Sequence, residues 1–163
     1  MRKSANELTA EIETTMGESW LPRVYRERIL KMRTRAYEFP ALPKNATPQI
    51  HHTLLGIELK VSRRRMLCPD LATARYLSVF ARLGSKALAI PYDITRVSQI
   101  ADELESSWHR MLLLAEQSVS GQSEAFRRRL RRLLIDRVRD QVAEAGAGDR
   151  APEFARTTKQ RQR

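Results

Sequence analysis

The stretch ITRVSQIADELESSWHRMLLLAEQSV, residues 94–119, carries the clearest structural pattern of the chain. Its apolar residues recur every three or four positions, which places them along one face of an α-helix. These residues are Val97, Ile100, Ala101, Leu104, Trp108, Met111, Leu112 and Ala115. Asp93 precedes the stretch and is a favourable N-cap residue. The pattern therefore predicts a long amphipathic helix whose outer face begins with Asp102, Glu103 and Glu105.

The segments on both sides of this helix contain further helix signals. Asp70 predicts the start of a helix that ends near Gly84, because aspartate caps helix N-termini and glycine often follows helix C-termini. Residues 123–145 predict a last helix with one apolar stripe. That stripe consists of Phe126, Leu130, Leu133 and Leu134.

Two shorter segments complete this part of the prediction. Ser4 and Glu7 have the spacing of a capping box, which predicts a short helix near the N-terminus that ends at Gly17. Residues 85–92 fit either a short helical turn or a single strand, since Pro91 is incompatible with a long element.

Two further helices are predicted in the first half of the chain. Residues 22–37 place apolar side chains at positions i, i+4, i+7 and i+11, and residues 49–67 place them on two helix faces. The stripe of residues 22–37 consists of Tyr25, Ile29, Met32 and Ala36. In residues 49–67, one face consists of Ile50, Leu54, Ile57 and Val61, and the other consists of Leu55, Leu59 and Met66. We therefore expect an all-α fold: a single bundle of five or six helices over residues 1–145, with a disordered basic tail over residues 146–163.

The chain is strongly basic, with 30 Lys and Arg residues against 19 Asp and Glu residues and a formal net charge of +11. Such an excess indicates a polyanionic partner. Most of the basic residues are arginines, whose planar guanidinium suits phosphate better than the compact ammonium of lysine. We therefore expect nucleic acid as the partner, and neither a membrane nor a small-molecule substrate. The alternative is that the basic residues only solvate helix faces and pair with the acidic face of residues 94–119.

Three groups of basic residues are candidate nucleic-acid-binding sites, each expected on a separate helix beside an inward-facing apolar stripe. The first group is Arg23, Arg26, Arg28, Lys31, Arg33 and Arg35. The second group is Lys60, Arg63, Arg64 and Arg65, and the third is Arg127, Arg128, Arg131, Arg132 and Arg139. Such side chains contact backbone phosphates, so binding should weaken steeply with salt and depend little on base sequence.

No pattern in the sequence predicts a catalytic residue, a metal site or a cofactor. His51 and His52 are adjacent and point to different faces, and His109 has no acid or nucleophile placed beside it. Cys68 is the single cysteine and is expected to be a buried or incidental thiol. The Gly-rich phosphate loop, the GxSxG motif and the HExxH motif are all missing from the sequence. We expect a protein that is not an enzyme.

The sequence also predicts a cytoplasmic protein. Residues 1–21 mix charged residues with isolated apolar ones, unlike a secretory signal. The longest uninterrupted apolar run, Met111–Ala115, is far shorter than the ~20 residues that span a bilayer. A single cysteine gives no internal disulfide framework.

A DNA-reading helix-turn-helix is an alternative, with residues 74–84 in its first helix. Against this alternative, Pro91 falls where the second helix should run, and DNA would repel the acidic start of residues 94–119. The chain would then be a transcriptional regulator. A ribosome-associated or RNA-associated structural protein is a further alternative.

Three segments of the chain are similar to a known group of proteins. The segments are Tyr76–Gly84 (YLSVFARLG), Ala89–Asp93 (AIPYD) and Ala101–Trp108 (ADELESSW). They resemble the small, all-helical subunits of CRISPR effector (Cascade) complexes, and more narrowly the C-terminal helical portion of the type I-D large subunit. The resemblance covers about residues 1–145 in length, basicity and expected architecture.

This resemblance implies a non-catalytic role inside an RNA-guided complex. Several copies of the protein would lie beside the guide RNA, contact other effector subunits and one another, and hold target DNA. Because R-loop formation is nearly balanced in free energy, such contacts would help to stabilise the R-loop in antiviral defence. The resemblance implies no catalytic residues.

Overall fold

The computed structural model of the protein describes residues 2–43 and 47–148. The chain order of its elements is α1 (Ala5–Met16), α2 (Leu21–Val24), β1 (Thr34–Glu38), β2 (Gln49–Thr53), β3 (Gly56–Val61), β4 (Arg64–Cys68), α3 (Leu71–Leu83), β5 (Ala87–Pro91), α4 (Ile94–Ser118) and α5 (Glu124–Ala145). A 3-10 turn, Gly17–Ser19, follows α1, and a π-helical turn, Tyr25–Ile29, continues α2. The protein is therefore mixed α/β, and the predicted all-α bundle is wrong.

The helices with clear caps are confirmed. The Ser4 hydroxyl accepts the Glu7 N–H at the start of α1, and the Asp70 carboxylate accepts the Thr73 N–H at 2.7 Å at the start of α3. Asp93 and Ser123 cap α4 and α5 in the same way. The stripe of α4 lies in the core, and Leu104 is 0% exposed. These starts are set by groups within three residues of one another, so sequence patterns could identify them.

The predicted helix over residues 22–37 is wrong beyond Ile29. The chain turns there, and Thr34–Glu38 pairs antiparallel with β5, with Thr34 opposite Pro91 and Glu38 opposite Ala87. The physical reason is β5, which is almost entirely buried and needs partners for its backbone polar groups. On its other edge, the Tyr25 hydroxyl accepts the Ala89 N–H at 2.9 Å and the Tyr76 hydroxyl donates to the Ala89 carbonyl at 2.5 Å. Of the two predictions for residues 85–92, the strand is confirmed.

The predicted helix over residues 49–67 is also wrong, because this segment forms β2, β3 and β4. The three strands form an antiparallel sheet in the order β2-β3-β4, which we call the meander. Ile57, Leu59 and Val61 alternate with polar residues and so share one face of β3, the period-two pattern of a strand. Two-residue turns join the strands, and the positive φ of Ser62 (57°) marks the second turn.

Helix α3 connects the two halves of the fold, since it packs against both α4 and the inner face of the meander. Tyr76 and Phe80 on α3 are fully buried, and the Tyr25 and Phe80 rings meet edge to face with centroids 5.7 Å apart. Helix α5 packs across α1, α3, α4 and β5. The core therefore fixes the meander through α3 and leaves its outer face exposed.

The chain after α5 packs back on the core for a short distance. The Tyr25 hydroxyl donates to the Gly146 carbonyl at 2.5 Å, and a Cβ on Gly148 would overlap Thr34 and Ala89. Most of the predicted basic tail, residues 149–163, lies outside the described residues. Among the helices that are described, none has the length and apolar character needed to cross a membrane.

Candidate nucleic-acid interface

The second predicted group lies on the meander and not on a helix. Lys60 on β3 and Arg65 on β4 are directly opposite each other on the outer face, away from the buried Leu59 and Met66. Side chains directly opposite in an antiparallel pair have Cβ atoms about 4.5–5.5 Å apart, so two like charges there destabilise the sheet. An anion between them would remove this cost.

The β3–β4 turn adds two more cations to the same end of the meander. Arg63 occupies the turn itself, and Arg64 is the first residue of β4, opposite the buried Val61 and so on the other side of the sheet from Arg65. Both side chains are exposed, and neither forms an ion pair with a described residue. We call Lys60, Arg63, Arg64 and Arg65 the sheet patch.

One carboxylate accompanies the sheet patch. Glu58 lies on the outer face of β3, opposite His51 on β2 and Leu67 on β4. Its side chain is 16% exposed, and its Oε1 lies 3.6 Å from Nη1 of Arg65. Residues 49–68 contain four Lys and Arg residues and this one acid. The meander therefore has a net charge of +3 (4 − 1) when its histidines are counted as neutral.

The third group lies on α5, as predicted. Its buried stripe is Leu130, Leu134, Val138 and Val142, so Arg128 and Arg132, four residues apart, lie on the opposite side of the helix. Arg131 and Arg132 are exposed and form no ion pair with a described residue. Three members of the group do form ion pairs. These are Arg127 with Glu116 at 3.6 Å, Arg128 with Glu124 at 3.8 Å, and Arg139 with Asp136 at 3.1 Å and Asp140 at 3.4 Å.

The charge of α5 is therefore concentrated in its N-terminal half. Arg128 keeps only a long contact with Glu124, whereas Arg139 near the C-terminal end contacts two aspartates. We call Arg128, Arg131 and Arg132 the α5 ridge. Helix α3 contacts both the meander and α5, but no contact brings the sheet patch and the α5 ridge into one cluster among the described residues.

The first predicted group is divided among several elements and forms no ridge. Arg23 pairs with Glu27 at 3.0 Å, and Arg28 pairs with Glu103 of α4 at 2.5 Å. The guanidinium of Arg33 lies over the Tyr92 ring, 5.0 Å from its centroid. The other members are Arg26 on the π-helical turn, Lys31 in the following turn and Arg35 on β1. The prediction of one helical surface for these residues is wrong, because the helix ends at Ile29.

The acidic face of α4 contacts two arginines, of which Arg28 belongs to the first predicted group and Arg75 to none of the three groups. Arg75 on α3 donates to Glu105 at 2.9 Å and also to Asp102, and these contacts raise the pKa of its guanidinium. Glu103 is the partner of Arg28. Sequence reasoning missed Arg75, because it lies outside the three groups of basic residues that the sequence analysis selected. The acids of α4 therefore neutralise a small part of the excess charge and leave the sheet patch unchanged.

The residues considered for chemistry are in ordinary environments. Burial raises the pKa of the Cys68 thiol, which makes it a poor nucleophile near neutral pH. His51 and His52 occupy successive, opposite-facing positions of β2. Within the described parts of the chain, no group of three or more His, Cys, Asp or Glu side chains could hold a metal ion.

No match was found when the chain was compared with protein-family models, curated proteins and solved structures.

Proposed function

We propose that this protein is a non-catalytic nucleic-acid-binding protein that contacts the phosphate backbone through the sheet patch, with the α5 ridge as a second contact. The observation that carries the proposal is the direct cross-strand pairing of Lys60 with Arg65 beside the exposed Arg63 and Arg64. The like charges of Lys60 and Arg65 repel each other in the isolated protein, and Glu58 is in contact with Arg65 alone. A phosphate chain supplies anions at close, regular spacing and so relieves this repulsion.

The composition of the patch favours backbone contacts over base reading. Three of its four cations are arginines, which bind phosphate oxygens through two parallel N–H groups. The outer face around them is formed by Gln49, His51 and Thr53 and carries no Phe, Tyr or Trp side chain for base stacking. Binding should therefore be steep in salt and largely independent of base sequence.

In its most specific form, the proposal makes the protein a cytoplasmic subunit of a CRISPR RNA-guided complex that contacts target DNA and guide RNA and stabilises the R-loop. The three segments that resemble the small subunits lie on α3, β5 and α4. The all-helical fold that the resemblance implies does not hold for this chain, because the residues that the structure describes include five strands. The general proposal rests on the sheet patch and does not depend on this specific form.

Salt dependence tests the general proposal. Binding of a fluorescent DNA or RNA duplex is measured between about 50 and 200 mM NaCl, where six phosphate contacts would give a log–log slope of roughly −4 to −5. The variant R63A/R64A/R65A should reduce the slope by about 2 to 3 and weaken binding more than tenfold at low salt, since each contact contributes about 0.7–0.9 to the slope.

A matched control removes the same charge elsewhere. The variant R82A/K86A/R110A changes three exposed cations outside the meander and α5. It should change the slope by less than about 1, because these residues are not expected to contact phosphate. Equal losses in both triple variants would show that net charge alone drives binding, and a slope near zero in the unmodified protein would contradict the proposal.

Co-purification from the native host tests the specific form. A subunit of an effector complex should be recovered with guide RNA and several protein partners. Recovery with ribosomes would indicate the RNA-associated alternative, and protection of one duplex sequence in a footprint would indicate a regulator. Either result would contradict the effector role.

Hydrolysis of the bound nucleic acid is a second candidate function, and Glu58 is the observation that favours it. Its carboxylate lies on the outer face two residues from Lys60 and opposite His51. A carboxylate can help to hold a divalent cation, and a nearby lysine can stabilise charge that develops on a phosphate. The test is cleavage of a labelled duplex in the presence of Mg²⁺. If the unmodified protein cleaves the duplex and E58Q binds it without cleaving it, the protein is a nuclease and the non-catalytic role is wrong.

A further inference from the structure

The β2–β3 turn exposes apolar side chains where turns usually carry polar ones. Thr53 pairs with Gly56, so Leu54 and Leu55 alone form the turn, and they are 106% and 85% exposed. Gly, Asn, Asp and Ser dominate such turns because they fit the backbone and remain hydrated. In the isolated protein, the two leucines bury almost no apolar surface at this position and so do not stabilise the fold. The turn therefore has the features of a contact surface.

The turn is held in one shape by its own neighbours. The Thr53 hydroxyl accepts the Leu55 N–H at 3.2 Å and donates to the Gly56 carbonyl at 3.0 Å. Gly56 has a φ of 128°, which side chains rarely permit. Leu67, 66% exposed on β4, extends the apolar surface toward Gly56. The leucines are therefore presented on a preorganised tip, which we call the leucine tip (Leu54 and Leu55).

The leucine tip and the sheet patch lie at opposite ends of one strand. Lys60 is four residues from Gly56, which corresponds to about 13 Å at 3.3 Å per residue. The β3–β4 turn is about 20 Å from Gly56. These distances match the rise of roughly four to six base pairs of a duplex at about 3.4 Å each.

We infer that the leucine tip is a wedge that enters the base stack of a duplex whose phosphates are held by the sheet patch. This inference rests on the proposed function, because the cations of the patch supply the attraction that brings the tip to the bases. Apolar side chains inserted between base steps partly unstack them and kink the duplex. Burying two leucines recovers apolar surface that the isolated protein leaves in water, and so offsets part of the unstacking cost.

An anionic membrane is the competing partner for cations beside exposed leucines. Two side chains on a narrow turn would bury little area among acyl chains, whereas a separated base step offers a flat slot matched to one or two side chains. The cations also lie at the opposite end of the strands, about 13–20 Å from the tip, and do not surround it at the depth of lipid headgroups. Nucleic acid therefore fits this surface better.

The test uses a duplex with 2-aminopurine, whose fluorescence rises when it leaves the base stack. The full-length protein should raise the fluorescence several-fold, and L54A/L55A should lose most of this rise while its affinity falls less than about tenfold. L113A is the matched control, since Leu113 is also exposed, at 58%, but lies on α4. It should behave like the unmodified protein.

The possible outcomes separate the inference from the function on which it rests. Salt-dependent binding with no change in fluorescence would overturn the wedge and leave the proposed function standing. Absence of salt-dependent binding would overturn both. Two further results would also overturn the wedge, if the 2-aminopurine fluorescence does not change. Sedimentation with phosphatidylserine vesicles that is lost in L54A/L55A would assign the tip to a membrane. Self-association on ultracentrifugation that is lost in L54A/L55A would assign it to a second copy of the protein.

Discussion

Helix α4 and the meander are both amphipathic, but they place their charged residues in opposite situations. The acids of α4 lie next to arginines of neighbouring elements, Arg28 and Arg75. In the meander, Lys60 and Arg65 face each other across two strands. The charges of α4 thus help to hold the fold together, whereas the meander keeps an excess of positive charge that its single acid, Glu58, does not balance. A ligand with negative charge would balance this excess, which is why we propose the meander as the binding surface.

The largest expected difference between the two regions is the loss of stability when an apolar residue is replaced by alanine. Leu104→Ala should lower the free energy of unfolding by about 2–5 kcal/mol, because Leu104 is fully buried in the stripe of α4. Leu55→Ala on the leucine tip should change it by no more than about 0.5 kcal/mol, because its side chain is already in water. Urea denaturation followed by circular dichroism measures both values. A large loss in Leu55→Ala would show that the tip is packed against the protein.

The next effect concerns the ion pairs of α4. Arg75→Ala should lower the free energy of unfolding by about 1 kcal/mol, because it leaves Glu105 and Asp102 without their partner on α3. The same change at Arg64 should leave stability within about 0.5 kcal/mol, since this exposed residue has no ion pair among the described residues. Urea denaturation of the two variants in parallel measures this difference. Equal losses of stability in both variants would contradict the distinction between the two regions.

A smaller effect of opposite sign is expected at Lys60. Lys60→Thr should raise the free energy of unfolding by a few tenths of a kcal/mol, because it removes a like charge opposite Arg65 and introduces a residue suited to strands. The same variant should weaken nucleic-acid binding and reduce the salt slope by about 1. Thermal denaturation and a binding titration test the two effects together. A destabilised variant with unchanged binding would mean that Lys60 is structural.

The last effect is a pH dependence in the helical region. Burial alone would raise the pKa of Glu13, but hydrogen bonds from Arg137 and Gln141 and the charges of Arg137 and Arg26 outweigh it and hold the pKa below its ordinary value of 4.5. A lowered pKa stabilises the folded protein above 4.5, and this stabilisation is lost as the pH falls through the folded-state pKa. Its size should stay below about 1 kcal/mol, because both side chains of the ion pair are partly exposed.

The variant E13Q isolates this contribution. Between pH 6 and pH 3, the free energy of unfolding of E13Q should fall less steeply than that of the unmodified protein. Identical acid profiles for E13Q and the unmodified protein would contradict the assignment of Glu13.

The parts of the fold that sequence reasoning found are those decided by nearby residues. Ser4, Asp70, Asp93 and Ser123 each cap a helix through a backbone N–H two or three residues ahead, and the stripe of α4 repeats over about five turns. The missed parts depend on distant partners. Strand β1 forms because β5, about fifty residues later, needs a neighbour. Residues 49–67 satisfy a helical spacing and a strand alternation together, and packing against α3 selects the strand.

The same division applies to the candidate site. The identities of the cations, their excess over acids and the lack of a catalytic motif follow from the sequence, because charge and side-chain chemistry belong to each residue by itself. Only the tertiary structure decided which cations meet, since it set Lys60 opposite Arg65, paired Arg28 with Glu103 and separated the first group along several elements. The physical reason is that a strand register and a helix packing bring residues together across distances in the chain that no local pattern encodes.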